Sequence, residues 1–143
     1  MKYGKHAATA LVGAAVLTLG AQSQAAAAPW EISGYSTNRC AFAHGDYQYA
    51  QVGELGGLPA YNAEWDLYAY DECPGDGYGA RLQVSYDEWN GWSWVNPYGW
   101  RTIAKSGGSH RGYPLNVRNV HFQICVHKNT DPESIVSRCA PVR

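Results

Sequence analysis

Side chains capable of nucleophilic catalysis are present in this chain of 143 residues, but none lies in a recognisable catalytic pattern. No serine occupies the G-x-S-x-G turn that presents the nucleophile in many hydrolases. Ser109 and His110 are neighbours, yet adjacency in sequence does not bring a hydroxyl within hydrogen-bond reach of an imidazole. We interpret this pair as part of a solvated, glycine-rich loop and predict no catalytic residue.

Carboxylates offer a second kind of chemistry. Glu64 and Asp66 lie two residues apart, which on one strand places them about 7 Å apart on the same face. Asp87 approaches them if the strands at 61–70 and 80–86 form a hairpin. Paired carboxylates catalyse glycoside hydrolysis, but a domain of this size rarely has the long cleft that a sugar chain needs. We therefore do not predict a glycosidase.

The candidate metal ligands are dispersed. His121 and His127 lie on one strand pattern, about 20 Å apart, which is too far to share an ion. The acidic turn at 71–79 lacks the spacing of a helix–loop calcium site. The cysteines include no C-x-x-C pair. The sequence predicts no metal ion and no cofactor.

The four cysteines follow a segment with the features of an export signal. Residues 1–27 combine Lys2 and Lys5 with an apolar run that ends near Leu19 and with small residues after it. Such a segment predicts a removable signal peptide and a secreted, extracellular protein. Its apolar run is too short to span a bilayer, so we predict no membrane anchor.

An even number of cysteines in an oxidising compartment predicts two disulfides, and four cysteines allow three pairings. The turn-rich segment KNTDPES separates Cys125 from Cys139 and favours that pair. By elimination, Cys40 pairs with Cys73. We interpret all four cysteines as structural.

The net charge of −1 argues against sequence-independent binding to nucleic acid. The charges are unevenly distributed, because ten of the twelve acidic residues lie in 31–88 and seven of the eleven basic residues in 101–143. Either the two parts of the chain pair their charges within one sheet, or an acidic face docks a basic partner.

Strand patterns dominate the chain after residue 40. Residues 61–70 alternate strictly, with Ala63, Trp65, Leu67 and Ala69 on one face. The turn-rich stretch 71–79 separates this segment from a second alternation at 80–86, which predicts a hairpin with a long tip.

Further signals mark the rest of the domain. Asn90-Gly91 predicts a tight turn, 100–105 a short strand and 106–114 a loop. Residues 115–127 predict a long strand with a bulge near Arg118-Asn119, where Val117 is out of phase with the apolar residues that follow. A convincing helical period is lacking. The sequence therefore predicts an all-β fold, a small disulfide-stabilised sandwich or open barrel of antiparallel strands.

Aromatic residues form the strongest candidate ligand surface. Trp92 and Trp94 are expected to share one strand face, and Tyr68 and Tyr70 the outward face of another. Such rings stack on sugars or anchor protein interfaces. The alternative is that they fill the core, since the chain has only two phenylalanines.

The closing pattern NVRNVHFQICVHKNTDPESIVSRC, the early Cys40 and the tryptophan-rich middle carry a resemblance. The chain resembles small secreted two-disulfide β proteins of filamentous soil bacteria, among them the adaptor subunit of umbrella toxin particles. The resemblance implies a non-enzymatic adaptor in an antibacterial complex. Its partners would be a larger secreted propeller or lectin subunit and a repeat-containing toxin subunit.

Under this resemblance residues 28–39 form an extended N-terminal arm before a single β domain at 40–143. Trp30, Ile32 and Tyr35 would anchor the arm in a partner's cleft or on its sheet edge. The alternative is a frayed terminus. Our first hypothesis is a protein-interaction module. The others are a carbohydrate-binding module that uses the aromatic surface and a secreted hydrolase inhibitor that presents the Cys125–Cys139 loop.

Overall fold

The computed structural model describes residues 28–130 and 136–143. Within these ranges the chain is all-β, as the sequence predicts, and contains no helix. No helix among these residues is long and apolar enough to cross a membrane. The predicted signal peptide at 1–27 lies outside the described residues. The strands are β1 (Trp30–Tyr35), β2 (Ala41–Leu55), β3 (Leu58–Asp71), β4 (Tyr78–Trp89), β5 (Trp94–Val95), β6 (Arg101–Lys105), β7 (Gly108–Gly112), β8 (Val117–Lys128) and β9 (Ser137–Val142).

All of these strands belong to one antiparallel sheet. Its main order is β1-β2-β3-β8-β4-β5, with β6 added to β4, β7 to β3 and β9 to β8. The sheet curls until β9 approaches β1, where Ser33 N–H donates to the Arg143 carbonyl at 2.9 Å and Arg143 N–H donates to the Ser33 carbonyl at 3.1 Å. The curled sheet therefore encloses its core between two layers.

The alternation of β3 builds one wall of this core. Ala63, Trp65, Leu67 and Ala69 are all buried, as predicted. Apolar side chains of β4 and β8 form the opposite wall, because the sheet curls and places these two strands over β3. Its principal members are Leu82, Val84, Ile124 and Val126.

The predicted hairpin between β3 and β4 is wrong. β3 pairs with β2 through a two-residue turn at Gly56-Gly57, where both residues have positive φ, the conformation that tight hairpins require. β4 pairs with β8 instead. The long turn between β3 and β4 therefore carries the chain from one layer of the sheet to the other.

The predicted loop at 106–114 is also corrected, because β7 forms within it and pairs with β3 from Gly108↔Ala69 to Gly112↔Trp65. Two smaller predictions are confirmed. Asn90 lies in the turn between β4 and β5, and its Oδ1 accepts the backbone N–H of Trp92 at 3.0 Å. The bulge lies where β8 pairs with Ser85 and Asp87 of β4, with Asn119 at a φ of 52°.

Both predicted disulfides are present. Cys40–Cys73 joins the residue before β2 to the turn after β3, and Cys125–Cys139 joins β8 to β9. They enclose sequence separations of 33 and 14 residues. Loops of this size correspond to about 3–4 kcal/mol each in the loop-closure model.

The segment before Cys40 is not a free arm. β1 pairs with β2 along its whole length, from Trp30↔Tyr47 to Tyr35↔Phe42. Ile32 is 4% exposed and packs in the core, so its side chain belongs to the fold of its own chain rather than to a free arm. The arm predicted at 28–39 is thus largely part of the domain, because its alternating apolar residues complete the sheet of their own chain.

We predict that Gly112→Ala destabilises the fold. A Cβ at this position would lie 2.3 Å from Cε2 and Cζ2 of the Trp65 indole. Overpacking of a buried site costs about 1–3 kcal/mol, so the midpoint of urea unfolding should fall. The matched control is Ser109→Ala, a small change at an exposed position of the same strand. Equal stability of the two variants would show that the indole does not need the space above Gly112.

Candidate binding surfaces

An ordered array of rings covers the outward face of the first three strands. Side chains on alternate positions of neighbouring strands meet in cross-strand rows. Tyr35, Phe42 and Tyr70 form one row, and His44 and Tyr68 form the next. We call these five residues the aromatic ladder. The structure thus confirms that Tyr68 and Tyr70 are exposed on one face and adds three residues to them.

The rings of the ladder stack on one another. Tyr35 and Phe42 have centroids 4.5 Å apart, and Phe42 and His44 are 5.5 Å apart. The His44 imidazole lies 5.5 Å from Tyr70, with planes only 4° apart, and 5.7 Å from Tyr68. Near-parallel rings at these distances are packed with a lateral offset, and Tyr35, Tyr68 and Tyr70 remain partly exposed.

Charged groups border the ladder at both ends. The Arg39 guanidinium lies 4.6 Å from the centre of the Tyr35 ring. At the other end, Glu31, Asp46 and Asp66 form the outward cross-strand row next to His44 and Tyr68. Asp66 accepts a hydrogen bond from Arg111 Nε at 3.1 Å, whereas Glu31 and Asp46 form no salt bridge with a described residue. The aromatic face therefore continues into an acidic one.

The other predicted aromatic pair does not form a surface. Trp92 lies in the turn after β4 and is 91% exposed. Trp94 instead packs against Trp89 at 5.6 Å, and its indole N–H donates to the Leu55 carbonyl at 3.0 Å. The expectation that Trp92 and Trp94 share a strand face is wrong, because β5 begins only at Trp94. Trp94 therefore lies beside the β2–β3 turn, at the opposite end of β2 from Phe42.

A concave surface separate from the ladder lies between β1, β2 and β8. This groove has a volume of about 500 Å³. Trp30 and Tyr47 form one side of it, with centroids 5.2 Å apart in an edge-to-face contact. Burial, with a smaller effect of Tyr49, raises the pKa of the Tyr47 phenol to about 12. The groove is lined by Trp30, Ile32, Tyr47, Trp100 and residues 120–123 and 139–143.

The predicted anchors Trp30 and Tyr35 therefore lie on two different surfaces. Trp30 borders the groove of its own chain, and Tyr35 belongs to the ladder on the outer face. Contact of either residue with a partner stays a prediction. The Cys125–Cys139 loop proposed for a hydrolase inhibitor includes residues 131–135, which lie outside the described residues.

The candidate catalytic carboxylates have other partners. Glu64 accepts a hydrogen bond from Gln48 Nε2 at 2.6 Å, and Asp66 pairs with Arg111. Asp87 lies on the other layer, where it accepts from Asn119 Nδ2 at 2.7 Å and lies 3.4 Å from Arg118 Nε. The acidic and basic parts of the chain thus pair across the sheet in two places.

Ser109 and His110 point to opposite sides of β7 rather than into one site. His110 Nδ1 accepts the Trp65 indole N–H at 3.1 Å, which requires an imidazole with its proton on Nε2. Among the described residues, a cluster compatible with a metal ion consists of Cys40, Cys73 and Asp76. Its two sulfur atoms are joined in a disulfide and are therefore not thiolate ligands.

Sequence reasoning missed two of the five ladder residues, Phe42 and His44, because it missed β2. Phe42, His44 and Asp46 alternate with the buried Ala41 and Ala43. The inward residues of this strand are small, so its hydrophobic alternation is weak, and Gly45 interrupts the alternation. An alternation of outward aromatic residues with inward alanines was the signal that could have found it.

Comparisons with known proteins gave no match to a family model, to a curated protein or to a solved structure.

We predict that acidification below pH 6.5 weakens the fold through His110. Burial, and secondarily Arg101, lowers the pKa of this imidazole from 6.5. Above pH 6.5 both folded and unfolded chains hold it neutral. As the pH falls through the window between 6.5 and the lowered value, the unfolded chain binds the proton first, so the free energy of unfolding decreases.

The check is chemical unfolding at several pH values for wild type, His110→Gln and His121→Gln. His121 is exposed and serves as the matched control. The first variant should lose part of the pH dependence in this window, whereas the second should retain it. Identical profiles for wild type and His110→Gln would contradict the prediction.

Proposed function

We propose that this protein is a secreted, non-catalytic binding module that recognises a protein partner through the aromatic ladder. The observation that carries the proposal is the continuous stack of five rings across three strands, in which Tyr35, Tyr68 and Tyr70 are each 38–39% exposed. The two disulfides are compatible with an extracellular location. In its most specific form the module is the toxin-complex adaptor that the resemblance implies.

The ring arrangement favours a protein over a sugar as the ligand of this face. A sugar ring stacks on an open, flat aromatic face, whereas the ladder rings pack against one another in offset pairs and Arg39 lies over Tyr35. Tyrosine edges and hydroxyls beside an arginine are the groups enriched in protein hot spots. Their mutual stacking also restricts their rotamers before binding, which lowers the entropic cost of association.

Carbohydrate binding is the second candidate, and Trp92 is the observation that favours it. This residue is 91% exposed and has no aromatic or cation–π contact with another described residue. Both faces of its indole are therefore open to a sugar ring.

We predict that a triple variant binds the partner at least tenfold more weakly than wild type. The variant combines Tyr35→Ser, Tyr68→Ser and Tyr70→Ser. Each hot-spot side chain contributes more than about 1 kcal/mol, so the loss of three exceeds a factor of ten in Kd. The partner is first identified from the extracellular medium by affinity capture and mass spectrometry. The Kd of the purified pair is then measured for each variant.

The matched control is Tyr113→Ser with Leu115→Ser, which removes exposed apolar side chains away from the ladder. Circular dichroism establishes that both variants fold. An equal loss of binding in the control would sink the ladder as the recognition surface. The carbohydrate alternative would be favoured if the protein binds a purified polysaccharide and if this binding is lost in the triple tyrosine variant or in Trp92→Ala.

We also predict that Glu31→Gln with Asp46→Asn slows association with the same partner. Charges at the edge of an interface act mainly on the association rate. If the acidic row faces a basic partner, the variant should associate more slowly at low salt and show a weaker dependence on ionic strength. If the association rate and its salt dependence are both unchanged, the partner either does not approach the acidic row or carries no basic charge there. Gln48→Ala, a neutral change on the same strand, is the control.

A further inference from the structure

The turn that joins β4 to β5 holds an asparagine side chain against its own backbone. Asn90 and Gly91 are both exposed. The Oδ1 atom of Asn90 accepts two backbone N–H groups, that of Trp92 at 3.0 Å and that of Ser93 at 2.9 Å. Asparagine side chains commonly bond to the backbone just ahead of them in turns. Because both bonds end on one oxygen, they polarise the side-chain carbonyl of Asn90.

The backbone nitrogen that follows Asn90 is free to react. Gly91 N–H donates no hydrogen bond to any residue in the described part of the chain. Gly91 has a φ of 100°, and a Cβ built on it would meet no atom within 4 Å, so no neighbouring group crowds this nitrogen. Its attack on Asn90 Cγ would close a succinimide ring, and such intramolecular reactions gain a large effective concentration.

The two N–H groups around Asn90 Oδ1 form an oxyanion hole for this attack. As the Gly91 nitrogen bonds to Cγ, negative charge develops on Oδ1. Hydrogen bonds from N–H groups to a charged oxygen are stronger than those to a neutral one. The donors of Trp92 and Ser93 lie at distances typical of oxyanion holes, about 2.7–3.1 Å. The native turn therefore stabilises the transition state more than the starting amide.

Other asparagines lack the free nitrogen that this reaction requires. After Asn38, the N–H of Arg39 donates to the Ser36 carbonyl at 2.8 Å, so it is already bound. After Asn96, Pro97 has no N–H at all. A reactive nitrogen beside a polarised amide thus distinguishes the turn after β4 from these two sites.

We propose that the turn between β4 and β5 is an autocatalytic modification site at which Asn90 loses its side-chain amide. The Gly91 nitrogen bonds to Asn90 Cγ and gives up its proton, and the Nδ2 group takes up a proton and leaves as ammonia. Water then opens the succinimide at either carbonyl, which yields aspartate or isoaspartate at position 90. The product places a new carboxylate in the turn that carries Trp92, a side chain 91% exposed.

The rate of amide loss is compared in the folded protein and in the synthetic peptide DEWNGWSWVN, residues 87–96, at one mildly alkaline pH. Mass spectrometry after trypsin cleavage at Arg81 and Arg101 detects the mass gain in the protein, and fragmentation assigns it to Asn90 or Asn96. The sheet does not hold the turn in the peptide, so its rate constant should be at least about threefold lower. An equal or higher rate in the peptide would overturn the proposal.

Variants at position 93 test the N–H donors separately. Ser93→Pro removes one of the two N–H groups that bind Asn90 Oδ1, whereas the matched control Ser93→Ala retains it. Amide loss should be at least about twofold slower in the first variant than in the second. Equal rates would contradict the oxyanion hole and with it the proposal. The reaction involves no ladder residue and is measured without a partner, so its outcome is independent of the proposed function.

Discussion

The burial of Trp65 between the two layers is the interaction on which the rest of the structure depends. Its indole is 1% exposed, and the ring is too large for the interior unless the neighbouring strand has no side chain there. Gly112 of β7 provides that space. The indole N–H also needs an acceptor away from water, and His110 of the same strand supplies it. The segment 106–114 is predicted as a loop from its sequence, and the packing of one tryptophan holds part of it as a strand.

The same ring connects the core to the groove. Trp65 contacts Phe122 edge-to-face at 5.3 Å, and Phe122 contacts Tyr47 in the same way at 5.3 Å. Tyr47 in turn meets Trp30 at the side of the groove. Because each ring packs against the next, the wall of the groove is continuous with the core. Cys125–Cys139 joins β9, which also lines the groove, to β8.

The two faces of β3 explain why a core strand also carries a binding surface. Its inward alternation buries Trp65, Leu67 and Ala69, and the same alternation directs Tyr68 and Tyr70 outward. Their neighbours on β2 and β1 come into register because the Gly56-Gly57 turn fixes how β2 pairs with β3. The ladder is therefore a consequence of register, while the groove is a consequence of how the sheet curls.

Local chemistry in the sequence determined the all-β class, the inward face of β3, the Asn90 turn, the bulge near Asn119 and both disulfide pairs. Each of these depends on residues that are close in the chain or on a small number of possible pairings. Only the tertiary structure decided that β3 pairs with β2 and β7 rather than with β4, that β1 completes the sheet, and that five rings meet on one face. Strand pairing is non-local, and any alternating segment satisfies the backbone of any other. The choice among partners therefore rests on how the large side chains, Trp65 above all, fill a shared interior.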